Sequence, residues 1–141
     1  MTEHARSTPP GAEPIRVLLV DDQKPVLWGL SKLIEGEWPR MAVAGAASTV
    51  SEALSAVSKR KADVVVLDMY MGEKNSLDYL ARMLEIGGAP VIVLTGKPNP
   101  QLQRRAIQCG ASAVVLKVDP AERLLHEIER AHKTRLSGEL A

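Results

Sequence analysis

The chain has 141 residues, with 18 Lys plus Arg against 17 Asp plus Glu and a net charge of +1, so no electrostatic footprint points to nucleic acid or an anionic membrane. Hydrophobic residues make up 45% but aromatics only 3%, with no Phe, so a single domain-sized core has to be built from Val, Leu, Ile, Ala and Met. The lone cysteine, Cys109, excludes an internal disulfide and suits a reducing cytoplasm, and no apolar run approaches the ~20 residues that a membrane span needs.

Residues 1–14, "MTEHARSTPPGAEP", are polar and rich in proline. They lack the apolar middle of a secretory signal and read as a flexible tail. "IRVLLV" (15–20) is a β-branched apolar run that stops at Asp21-Asp22 and predicts a buried strand. In 25–36 the apolar residues Val26, Leu27, Leu30, Leu33 and Ile34 fall at helical spacing. Pro25 suits the first turn of that helix and Gly36 its exit. "MAVAGAA" (41–47) is a weaker strand. The helix over 49–61 opens on Thr49 or Ser48, with Glu52 three residues after Thr49, the spacing of a capping box.

"DVVVLD" (63–68) is the third strand. The helix over 76–88 places Leu77, Leu80, Ala81 and Leu84 on one face and ends at Gly87-Gly88. "PVIVLT" (90–95) is the fourth strand, and a short helix spans 100–110. "SAVVLK" (112–117) is the fifth strand. The last helix covers 120–136, with Leu124, Leu125, Ile128 and Ala131 toward the core. Five strands alternate with five helices. Four of the strands are continuous apolar runs, as expected of a parallel sheet covered on both faces. The fold class is α/β, a doubly wound five-stranded parallel sheet.

In open sheets of this kind, sites form beyond the carboxyl ends of the strands. The first strand ends at Asp21 and Asp22, the third at Asp68, the fourth at Thr95 and the fifth at Lys117, whereas the second ends in alanines. A strand order 2-1-3-4-5 would gather all five groups at one rim. Three carboxylates close together resist ionisation unless a cation relieves them, and an oxygen-rich ligand set with room for water and phosphate suits Mg²⁺. An ammonium, a hydroxyl and a metal around one carboxylate describe a phosphoryl-binding site, with the carboxylate as nucleophile.

Taken singly, each group has a plainer explanation. A strand-end aspartate is usually a turn former or a helix cap, and a lone Thr or Lys signifies little. Their joint occurrence at successive strand ends carries the reading. His126 and His132 are expected on the polar side of the last helix, and His4 lies in the tail. Cys109 reads as a small packing residue, and Arg104-Arg105 as a solvated face. Trp28 and Trp38 could be core edge or partner contact.

"VDDQKPVLWGL", "VVVLDMYM", "VIVLTGK" and "GASAVVLK", in this order and spacing, resemble the response-regulator receiver domain of two-component signalling, most closely the NarL/FixJ type. The resemblance covers 15–134 and implies a flavodoxin-like fold, with 135–141 as a C-terminal tail or the start of a linker. It implies that Asp68 is the phosphoacceptor. Asp22 and Asp68 would bind Mg²⁺ directly, Asp21 mainly through water, and the backbone carbonyl of Tyr70 would complete the ligands. Thr95 and Lys117 would bond the phosphoryl group, with the Gly96 N–H as a further donor. The implied partner is a histidine kinase or histidine phosphotransfer protein, with homodimerisation as an option. DNA would be reached only through an effector domain outside this chain, and no membrane is involved. The domain would be a signalling phosphoacceptor rather than a turnover enzyme.

Three departures stand out. Met71-Gly72 replaces the usual Met-Pro, Ser76 replaces a usual glycine, and Val114 replaces a usual Tyr or Phe. Gly72 is expected to loosen its loop, and Val114 leaves no ring to swing inward. These departures lend weight to the alternative, a receiver-like interaction module that is never phosphorylated. A haloacid-dehalogenase-like phosphohydrolase is disfavoured, because Tyr70 stands where its second Asp would be. A dinucleotide enzyme is disfavoured too, because "DDQKP" replaces the glycine-rich turn.

Overall fold

The sheet consists of β1 (Ile15–Val20), β2 (Met41–Ala47), β3 (Val64–Asp68), β4 (Val91–Thr95) and β5 (Ala113–Leu116), all parallel, in the order β2-β1-β3-β4-β5. Five helices connect and cover it: α1 (Lys24–Glu35), α2 (Val50–Ser58), α3 (Leu77–Gly87), α4 (Pro100–Gln108) and α5 (Ala121–Leu140). The computed structural model describes residues 13–71 and 74–140. The expected fold class and strand order are therefore observed. One element was not anticipated, a small antiparallel hairpin in which Tyr70–Met71 pairs with Lys74–Asn75 between β3 and α3. Among the described residues no helix is long and apolar enough to cross a membrane.

The period of two along each strand divides the core into two layers. Leu18, Val20, Val65, Leu67, Val91 and Val93 face α2, α3 and α4, where Ala53, Val57, Leu80, Met83 and Ala106 close the layer. Val17, Leu19, Val64, Val66, Ile92 and Leu94 face α1 and α5, against Ile34, Leu124, Ile128 and Ala131. The central strands are thus apolar on both sides, and this is why their sequences show no alternation. A fully buried side chain of this size contributes about 1.5–3 kcal/mol. Two layers of them replace the aromatic core that the composition rules out.

The capping signal before α2 is real, and it uses both candidate residues. The Thr49 hydroxyl accepts from the Glu52 N–H at 3.1 Å, while the Glu52 carboxylate accepts from the Ser48 N–H at 2.8 Å. Gly36, expected as a helix exit, keeps ordinary right-handed dihedrals (φ −65°). Gly88 (φ +74°) is the exit that needs glycine. Ala81 is exposed, and Met83 joins Leu77 and Leu80 on the buried face of α3 instead. His132 is half-buried rather than on the polar side, and its Nδ1 is shut from solvent without a hydrogen-bond partner among the described residues. Cys109 packs against the first core layer, as expected. Trp28 and Trp38 are both exposed, and Lys32 stacks over the Trp28 ring.

The last helix runs to Leu140, past the expected end at 136. Residues 135–140 continue α5. No proline interrupts that stretch, and Gly138 costs only about 1 kcal/mol relative to alanine. The expected tail at 1–14 and the loosening at Gly72 fall largely outside the described residues.

Where α3 meets α2, glycine is required by proximity. A Cβ on Gly87 would lie 2.9 Å from Val57 Cβ and 3.2 Å from its carbonyl oxygen. Neither atom is the end of a flexible side chain. Gly87→Ala is therefore expected to destabilise the domain by about 1–3 kcal/mol through overpacking, despite the better helix propensity of alanine, as read from urea unfolding midpoints.

Candidate functional site

Register brings the polar strand ends together. Val20 lies opposite Leu67, Asp68 opposite Leu94, and Thr95 opposite Leu116. The residues that follow β1 and β5 thus reach the same rim as the ends of β3 and β4. The Lys117 N–H donates to the Thr95 carbonyl at 2.7 Å, so the ladder itself carries Lys117 to the site.

Asp21 is fully buried (0% exposed), which makes its pairing decisive. Its Oδ1 accepts from the Gln23 N–H at 2.9 Å, a local turn that launches α1. Its Oδ2 has no hydrogen-bond partner among the described residues and lies 3.5 Å from Lys117 Nζ. The same ammonium lies 3.3 Å from Asp68 Oδ1. Asp22 is exposed, and one carboxylate oxygen from each of Asp21, Asp22 and Asp68 falls within 4.8 Å of the others.

One ammonium thus faces the two buried carboxylates, with Asp22 beside them. Burial pushes the Asp68 carboxyl above its usual range, the Asp21 charge pushes it further, Lys117 opposes, and Asp22 adds to the rise. A buried oxygen lacking a donor, beside two further carboxylates, is what a divalent cation would satisfy. The residues present therefore fit Mg²⁺, with Asp21, Asp22 and Asp68 as the carboxylate donors.

Thr95 is buried, and its hydroxyl makes only long contacts, 3.4 Å to the Lys97 carbonyl and 3.5 Å to the Lys97 N–H. Such weak bonds cost little to exchange for a better acceptor. The cleft, about 450 Å³, is lined by Asp22, Asp68, Tyr70, Thr95, Lys97 and Lys117 among others. Tyr70 is 44% exposed at its wall, so its ring can shield the mouth without blocking it. Val114 is half-buried, and a separate open groove beside it is lined by Pro100, Gln103, Arg104 and Ile107.

All five residues expected at the rim are therefore brought together. One contributor was missed. Ser76 is buried, and its hydroxyl donates to the main-chain carbonyl of Asp68 at 2.6 Å. Its only signal in the sequence was a serine where the resemblance suggested glycine, and that signal does not say where the hydroxyl points.

Comparison with known proteins agrees with this geometry. The family model for the response regulator receiver domain matches residues 17–129, and the chain belongs to that family. It is similar to the transcriptional regulatory protein DesR of Bacillus subtilis, 33% identical over 114 residues that cover 81% of this chain and 56% of DesR. It is also similar to the DNA-binding transcriptional activator DevR/DosR of Mycobacterium tuberculosis, 35% identical over 73% of this chain and 48% of that protein. Among solved structures, the response regulator domain of Thermotoga maritima CheB superposes with a TM-score of 0.78 at 26% identity, covering 86% of this chain and 98% of that one. A two-component response regulator of the LuxR family from Aurantimonas gives 0.79 at 27% identity, covering 87% and 88%. The chain spans about half the length of the first curated relatives it matches.

The raised Asp68 carboxyl has a consequence for stability. A carboxyl whose folded value lies above its unfolded one favours folding when protonated, and that contribution is lost as pH rises through the folded value. Ionised Asp68 therefore destabilises the metal-free domain at neutral pH. Asp68→Asn is expected to raise the melting temperature in EDTA at neutral pH. The gain should shrink as pH falls and vanish near the unfolded carboxylate value of about 4.

Proposed function

We propose that this receiver accepts a phosphoryl group on Asp68 from the phosphohistidine of a histidine kinase or phosphotransfer protein. The observation that carries the reading is the placement of Asp68 within one cleft between Lys117, Thr95 and the acidic pair. An Asp68 carboxylate oxygen forms the new bond to phosphorus as the phosphorus–nitrogen bond of the donor breaks. Lys117 stays against the phosphoryl oxygens and Thr95 turns its hydroxyl toward them. Asp21, Asp22, Asp68 and the Tyr70 carbonyl would hold Mg²⁺, which when bound supplies positive charge against the transferring group.

Phosphorylation adds about −1.5 to −2 charge. Drawing Thr95 and Lys117 inward shifts a two-state equilibrium at the surface of α4, β5 and α5. Because Val114 carries no ring, the displacement of β4 and α4 reports the event here, without an aromatic rotamer. The output is altered partner binding or homodimerisation, which controls an effector such as a DNA-binding domain in the full protein. The second reading, an interaction module that is never phosphorylated, draws on Val114 and the groove beside it.

Incubation with acetyl phosphate and Mg²⁺ separates the two. The expected product is a hydroxylamine-labile phosphoryl adduct that is absent in Asp68→Asn and in EDTA. An unlabelled wild-type protein would leave the interaction module standing instead.

Tyr70 at the cleft wall shields the acyl phosphate from water. Tyr70→Ala is expected to shorten the phospho-Asp lifetime about threefold or more, the equivalent of roughly 0.7 kcal/mol in barrier. Equal decay rates in a radiolabel chase would remove that role.

A further inference from the structure

Ser76 occupies the N-cap position of α3 but does not cap it. A serine there ordinarily accepts from an N–H in the first turn. Here its dihedrals are helical (φ −64°, ψ −17°), and its side chain makes no cap bond. The neighbouring Asn75 does that work, its Oδ1 accepting from the Leu77 N–H at 2.9 Å. The Ser76 hydroxyl is thereby released to donate to the Asp68 carbonyl at 2.6 Å, at a site only 1% exposed and so closed to competing water. The Ser76 N–H donates to the next carbonyl, that of Met69, at 2.8 Å.

One residue therefore ties two successive carbonyls at the end of β3. Between the tied points runs the loop that carries Tyr70, already narrowed by the Tyr70–Met71 and Lys74–Asn75 pairing. On the α3 side Ser76 closes the base of that loop. We propose that Ser76 is a positioning residue. Its hydroxyl fixes the main chain of Asp68 and the base of the loop that presents the Tyr70 carbonyl, so that cation affinity and phosphoryl acceptance depend on a group that touches neither ligand. This inference rests on the proposed function and names one of its internal controls.

The chemistry supports a dependence larger than loop stability. Alanine at 76 would leave a buried carbonyl short of a donor directly behind the acceptor side chain. Partners one step removed from a metal site commonly set its affinity by orienting the ligands. A merely structural role would instead lower the melting temperature and leave the folded site unchanged.

The test compares wild type, Ser76→Ala, Ser76→Thr and Asn75→Ala as full chains. Three quantities are measured: melting in EDTA, Mg²⁺ affinity by calorimetry, and the rate of labelling by acetyl phosphate at saturating Mg²⁺. Ser76→Ala is expected to weaken Mg²⁺ binding about fivefold or more, the worth of one net hydrogen bond, and to slow labelling even at saturation. Ser76→Thr, which keeps the hydroxyl, should return both to within about twofold. Asn75→Ala loses the helix cap and should melt earlier while binding Mg²⁺ as wild type does. If the alanine variant does not fold, Ser76→Cys, similar in size with a weaker donor, is expected to fall between serine and the loss. A folded Ser76→Ala protein with wild-type Mg²⁺ affinity and labelling rate overturns the inference and leaves the proposed function intact. A wild-type protein that neither binds Mg²⁺ nor becomes labelled overturns both.

Discussion

The constraint on which the site depends is a cluster of like charges held in place by the sheet. Lys117 Nζ reaches Asp21 and Asp68 at 3.5 and 3.3 Å, and a third carboxylate, Asp22, stands within the same cluster. Burial of Asp21 and Asp68 removes the water that would otherwise screen their repulsion. Like charges therefore meet at the carboxyl rim at an electrostatic cost, which shows in the raised Asp68 carboxyl. A divalent cation among these carboxylates would lower that cost.

Holding such a site requires rigid support, and the fold provides it through backbone rather than bulk. The strand ladder delivers Asp68, Thr95 and Lys117 to one rim by register, and the Lys117 N–H to Thr95 carbonyl bond extends the ladder beyond the last paired residues. Asp21 is fixed from its own side by the Gln23 N–H. On the opposite side of Asp68, Ser76 secures the loop leading to α3. The layers beneath are small aliphatic side chains packed closely enough that Gly87 has no room for a methyl against Val57. A core without phenylalanine is thus filled through close approach of its elements.

Val114 stands half-buried beside an open groove, and the Thr95 hydroxyl at the neighbouring strand end makes only long contacts to Lys97 among the described residues. α5 continues as one helix to Leu140.

Much of this was legible in the order of residues. Apolar runs ending in Asp21, Asp68, Thr95 and Lys117 announce buried parallel strands, and the positions of those endings announce a rim of polar groups, because burial on both faces leaves a central strand nowhere else to put them. The cap before α2 was readable because Thr49 and Glu52 act within one turn. The pairing of 70–71 with 74–75, the exposure of Ala81, the partial burial of His132 and the continuation of α5 were not, since each depends on what a neighbouring element covers. The Ser76 hydroxyl is the clearest case. Residue type and spacing suggest a helix cap, yet its donor is spent on a carbonyl eight positions earlier. The chain alone therefore determined which groups end each strand and hence the chemistry available. Only the tertiary structure decided their distances, the burial of Asp21 and the bond from Ser76, because those arise where backbones distant in sequence meet and compete for the same few hydrogen-bond partners.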